Sequence, residues 1–221
     1  MITDGNTEVT AELDETRVKS ALRASTFRSV RPVSLALCFL YLVYSVNGYL
    51  ALSGLAFQIS LPLRLASAAA YLVIHVAARL DRLNESGAYR IGGVIAGIVL
   101  LNSAVHATLD FDPIHSTNFL FLIVACGYLF LSTGWFIGSV TITTAAWATL
   151  ALTFGSPGPW LHFTIAIVDA IALAVILHVV RKRTLSRLER SLIKEERQSK
   201  ALEIALSDAK NARQAADTCR P

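Results

Sequence analysis

Residues 160–188 read WLHFTIAIVDAIALAVILHVVRKRTLSRL, and two compositions meet inside this stretch. From Trp160 to Val180 only His162, Thr164, Asp169 and His178 interrupt an apolar run. Its length is the roughly 20 residues that carry a helix across about 30 Å of hydrocarbon. Beyond it, Arg181-Lys182-Arg183 opens a charged segment, and neither Gly nor Pro occurs in 181–218. A membrane-spanning helix is therefore expected to run directly into a long solvated one.

The same window applied outward finds five more apolar spans, near 33–54, 62–79, 91–109, 117–133 and 135–155, so that 160–180 is the sixth. Polar or rigid breakers separate them: residues 81–87 (DRLNESG), 110–113 (DFDP) and 155–159 (GSPGP). Only Ser132-Thr133-Gly134 divides spans four and five, which leaves room for a shifted boundary or a re-entrant pair. The composition agrees: of 221 residues 54% are hydrophobic and 16% charged, and the mean hydropathy is +0.53. That balance excludes a disordered chain and argues against an ordinary soluble domain. The net charge of +4 does not indicate nucleic acid, because the basic residues flank apolar runs. Cys38, Cys126 and Cys219 lack metal or redox spacing and are expected to be inert thiols.

Lys and Arg resist translocation, so their distribution orients the spans. Nineteen of the 20 basic residues precede span one, flank the loop after span two or follow span six; Arg64 alone stands at the opposite end of span two. The expected fold is all-α: a polytopic membrane protein with an N-terminal segment 1–32, a six-helix transmembrane domain 33–180 and a cytoplasmic coiled-coil helix 181–221. Both termini are expected in the cytoplasm, and the membrane is expected to be a bacterial inner membrane.

Polar groups within hydrocarbon are costly, so each is a candidate site as well as a packing device. Asn47, Arg64, Asn102, His106, His162 and Asp169 all fall in the outer halves of spans one, two, three and six. Asn102, His106 and Asp110 recur every fourth residue on one stripe, and the seven-residue spacing of His162 and Asp169 returns to nearly one face. The expectation is an outward-facing polar pocket for a small ligand or for protons, with Asp169 paired to Arg64 or to a histidine. The alternative is interhelical hydrogen bonding that holds the bundle together. His75 and His178 share a depth on the inner side, as a bis-histidine haem would require, but no haem motif accompanies them. GxxxG spacing at Gly93 and Gly97, and at Gly134 and Gly138, suits close helix approach.

In the tail, a heptad register with Leu185, Leu192 and Leu206 at a, and Leu188, Leu202, Ala209 and Ala216 at d, defines a seam broken at Glu195 and Ser199. A short or switchable parallel dimer is expected from it. Nucleotide-binding, nucleophile-elbow, zincin and CxxC motifs are missing, so no catalytic residue, metal or cofactor is expected.

The segment 201–218, ALEIALSDAKNARQAADT, resembles the helix that leads into the dimerisation and phosphoacceptor domain of membrane-bound hybrid sensor histidine kinases. The resemblance covers under a tenth of the chain. It implies a membrane input module coupled through a coil to a cytoplasmic kinase or another output domain. In that family the helix continues to a His-Glu box; here the chain ends Thr218-Cys-Arg-Pro221, and no histidine is followed by Glu. The chain is thus expected to be the sensor part of a longer protein, a truncated or frameshifted product, or a stand-alone membrane partner. The alternatives from other classes are a small transporter or channel, and a passive dimerising anchor for a cyclase-type output domain.

Overall fold

The computed structural model describes residues 4–51, 54–110, 113–154 and 157–218, with side chains described over 13–50, 54–109, 113–153 and 160–211. Among the described residues six α-helices follow one another: α1 (Asp4–Ala51), α2 (Gly54–Arg79), α3 (Ala88–Asp110), α4 (Ser116–Leu129), α5 (Thr133–Phe154) and α6 (Pro157–Thr218). No strand occurs among the described residues. Five helices are long and apolar enough to cross a membrane; α4, with 14 residues and about 21 Å of length, is shorter. The polar N-terminal segment belongs to α1, which continues through Pro32 into the apolar span. Likewise α6 passes from span to charged tail without a break over 62 residues.

The chain divides into two compact units, Leu22–Lys182 and the pair formed by Met1–Ala21 with Arg183–Pro221. The larger unit distributes its side chains in the manner of a protein whose solvent is hydrocarbon. Leu50, Val73, Phe121 and Leu152 are exposed, whereas Thr26, Ser34, Ser67, Asn102 and Thr143 are buried. The buried hydroxyls are mostly satisfied by their own helices: Thr26 donates to the Leu22 carbonyl at 3.1 Å, Ser34 to Val30 at 2.7 Å and Ser67 to Leu63 at 2.7 Å. Two apolar cores form, one around Val30, Tyr41, Tyr71 and Ile95, the other around Phe119, Ile123, Phe130, Trp147 and Ala174.

The connection between α4 and α5 departs from the expected span boundary, since helical structure stops at Leu129 rather than near residue 133. Phe130 is extended (φ −92°, ψ 114°), and both it and Leu131 are buried. Non-helical backbone at membrane depth is tolerable only where protein supplies the missing hydrogen bonds. Here α6 supplies them. His178 Nδ1 lies 2.8 Å from the Phe130 carbonyl oxygen, an acceptor, so Nδ1 carries the proton. The Arg181 guanidinium donates to the Tyr128 carbonyl and lies 4.0 Å over the Tyr128 ring. A cation at a helix C-terminus also meets the negative end of the macrodipole.

Close approach of α4 and α6 is made possible at Gly127, where a Cβ would stand 2.4 Å from the Ala174 carbonyl oxygen and 2.7 Å from its Cα. The GxxxG pairs serve differently. Gly93 makes room for the Trp135 ring, while a Cβ at Gly97, Gly134 or Gly138 would meet nothing within 4 Å.

In the smaller unit the two segments run antiparallel. Arg197 bonds Asp14 at 2.5 Å, and Arg17 bonds Glu196 at 2.8 Å and approaches Glu189 at 3.5 Å. Glu189, Ile193 and Glu196 form one stripe, and Ile193 and Val18 are its buried apolar residues. The expected seam lies on the adjoining face: Leu188, Leu192, Leu202 and Leu206 are exposed, Ala209 is exposed and Leu185 is half-buried. Ala216 lies outside the residues whose side chains are described.

Candidate functional site: a cleft within the helical bundle

Between the two apolar cores, α1, α2, α3 and α4 leave a cleft of about 520 Å³. Such a volume lies within the roughly 300–1,000 Å³ of small-molecule sites. Val33, Leu37, Leu63, Val99, Leu122 and Ala125 make its wall largely apolar. Polar groups gather towards the end where α1 stops and α2 begins: Tyr44, Asn47, Ser60, Arg64, Asn102 and His106, with His115 and Asn118 from the start of α4. Antiparallel succession of short-looped helices brings these distant positions to one level.

Four of the six expected site residues therefore meet in one cavity. Their roles differ. Asn102 is buried and already used: its amide donates to Ser67 Oγ on α2 at 2.8 Å and to the Ile98 carbonyl at 2.9 Å, which joins α3 to α2. The Arg64 guanidinium donates one bond, to the Tyr44 carbonyl of α1 at 2.7 Å, and forms no ion pair among the described residues. Its side chain is half-buried and lines the cleft, and among the described residues only one of its five N–H donors is used. His106 and His115 pack ring against ring, with centroids 4.2 Å apart.

His162 and Asp169 stand apart. Both are exposed residues of α6, neither lines the cleft, and no bond joins Asp169 to Arg64 or to a histidine among the described residues. Periodicity placed them correctly on one stripe, but it carried no information about which side of α6 packs inward. Ala170, Ala174 and His178 occupy the inward side.

His75 and His178 each serve a backbone carbonyl. His75 Nδ1 lies 2.9 Å from the Arg31 carbonyl oxygen on α1, and His178 Nδ1 2.8 Å from that of Phe130. Around His178, Lys182 donates to Thr133 Oγ1 at 2.8 Å, and the Thr133 hydroxyl lies 3.5 Å from His178 Nε2. The ring stacks on Phe136 with centroids 4.4 Å apart. No cluster of three or more metal-ligating side chains occurs among the described residues.

Two further residues of the cleft carry no sequence signal. Ser60 is 3% exposed and its Oγ has no hydrogen-bond partner, while it lines the cleft one helical turn from Arg64. Tyr128 lines the opposite end and carries Arg181 on its ring and on its carbonyl, with the second Arg181 amine donating to Ser29 Oγ of α1 at 3.1 Å. The cleft wall and α6 thus share a residue pair. Comparison with protein-family models, with curated proteins and with solved structures yields no match to this chain.

Proposed function

We propose that this chain is the membrane-embedded input and signal-transmission module of a two-component sensor kinase, without catalytic residues of its own. The observation that carries the reading is helix α6. Within one uninterrupted helix it caps α4 through His178 and Arg181, touches the cleft wall at Tyr128, and continues into a charged segment with Leu188, Leu192, Leu202 and Leu206 exposed. Leucines exposed at heptad spacing on a charged helix suit a parallel pairing with a second copy, and the tail's resemblance to the helix before a phosphoacceptor domain suits a cytoplasmic kinase as output. In this reading both termini lie in the cytoplasm of a bacterial inner membrane, and the Arg64 end of the cleft faces outward, because nineteen of the 20 basic residues gather on the other side.

Occupation of the cleft would bias the packing of α4 against α6, and a shift of α6 would change the pairing of its tail. Disulfide cross-linking of a Leu206→Cys variant in membrane vesicles tests the pairing. The expected result is a covalent dimer that disappears when Leu188 and Leu202 are both replaced by Glu; monomer throughout would remove the reading. The cleft also suits a small transporter, which predicts solute flux into vesicles that survives removal of residues 183–221.

A further inference from the structure

We propose that the cleft binds a single-chain anionic amphiphile, an alkyl carboxylate, with its headgroup on Arg64 and Ser60 and its chain along the apolar wall. The proposal deepens the input-module reading and rests on it for the use of the ligand, though not for its binding. Two independent observations fix the headgroup. Arg64 presents a planar donor fork suited to a carboxylate, and its only bond among the described residues is the one to the Tyr44 carbonyl. Ser60, one turn away on the same face of α2, keeps a buried hydroxyl without a partner in the same cavity. A carboxylate placed between them accepts from both, and it satisfies a hydroxyl that buried apolar surroundings otherwise leave unpaired.

The remaining wall fixes the rest of the molecule. Leu37, Val99, Leu122 and Ala125 offer no polar side chain, so what lies against them is hydrocarbon. Leu40 and Phe121 line the same cleft while 39% and 75% exposed, which opens it sideways towards the lipid rather than to water alone. At about 520 Å³ the cavity falls within the roughly 300–1,000 Å³ of small-molecule sites, which suits a ligand with one alkyl chain.

The test is equilibrium binding of radiolabelled tetradecanoate to the full chain in phosphatidylcholine nanodiscs, with tetradecanol as the neutral competitor. Saturable tetradecanoate binding is expected, with tetradecanol weaker by about tenfold or more, since a charged hydrogen-bonding group is lost. Arg64→Gln should weaken tetradecanoate by about tenfold or more and Ser60→Ala by about threefold, with the helical fold of both variants retained in circular dichroism. Ala125→Phe, which fills the wall, should abolish binding. Equal affinity for tetradecanol, or Arg64→Gln and Ser60→Ala binding like the unaltered chain, overturns the proposal. So does a site already held by phosphatidylglycerol that tetradecanoate cannot displace, because the ligand is then a bilayer lipid. Tetradecanoate binding that leaves the Leu206→Cys cross-link unmoved supports the site and removes only its sensory use.

Discussion

The two ends of the larger unit treat their cations in opposite ways. At the Arg181 end, cations and histidines close helix C-termini. Arg31 Nε donates to the Ala78 carbonyl of α2 at 2.8 Å while its terminal amine bonds Asp81 at 2.6 Å, Arg181 serves the Tyr128 carbonyl in the last turn of α4 and His178 that of Phe130 just beyond it. At the Arg64 end, a guanidinium keeps most of its donors and a buried hydroxyl has no partner. Polar groups that have been matched one to one hold a bundle together; of the two buried hydroxyls without a partner among the described residues, that of Ser60 lines the cleft and that of Thr144 on α5 does not. The basic residues clustered at the Arg181 end of the spans thus have a second role here, as partners of the carbonyls that helix C-termini leave open.

Asp81 illustrates the first mode. It ends α2 with φ 52°, and the Arg82 amide donates back to the Ala77 carbonyl at 3.0 Å, a Schellman closure whose left-handed residue is held by the Arg31 ion pair.

Breaking the Arg181 end should cost stability, most of all at the α4–α6 crossing. Gly127→Leu inserts a side chain where even a Cβ meets the Ala174 backbone, and it should destabilise the bundle by about 3 kcal/mol, read as a lowered melting temperature in detergent micelles. His178→Leu, which leaves the Phe130 carbonyl unpaired and buried, should cost roughly 1–3 kcal/mol in the same measurement. Arg64→Gln sharpens the contrast from the other side: it gives up only the bond to the Tyr44 carbonyl, so its melting temperature should fall less than that of His178→Leu, although its ligand binding falls.

The smallest effect belongs to the paired helix ends of the smaller unit. The Glu196 carboxyl is held below its ordinary 4.5 by its bond to Lys200 and by Arg17. A lowered carboxyl pKa contributes stability that is complete above the ordinary value and is lost as pH falls through the lowered one. Only the Arg17 share joins the two segments, and exposed pairs are weak and screened by salt. Spin labels on the two segments should therefore report one narrow distance at neutral pH and low salt, and a broadened one in acid or high salt.

Much of this architecture was legible in the sequence because it rests on local patterns. Apolar length marks six spans, of which five are helices long enough to cross a membrane, and i, i+4 spacing with depth counting brings Asn47, Arg64, Asn102 and His106 to one level. What was not legible depends on partners far along the chain. The end of α4 at Leu129 is set by His178 and Arg181, some 50 residues later. Gly127 acts alone against Ala174, whereas the more conspicuous GxxxG spacing at Gly134 and Gly138 meets no neighbour. Ser60 is a small hydroxyl in an apolar run, and only the missing partner distinguishes it from Ser67 or Ser103. The outward orientation of Asp169 follows from the packing of Ala170 and Ala174, which periodicity alone does not rank above the opposite face.

The most direct test of the central claim, that the cleft and the tail of α6 are coupled, is the rate of Leu206→Cys cross-linking in membrane vesicles with and without tetradecanoate. Coupling would change that rate by about fivefold or more, the lower end of ordinary coupling between sites, and the change should disappear when Arg64→Gln is added. A rate that tetradecanoate leaves unaltered, in vesicles where its binding is demonstrated, would contradict it.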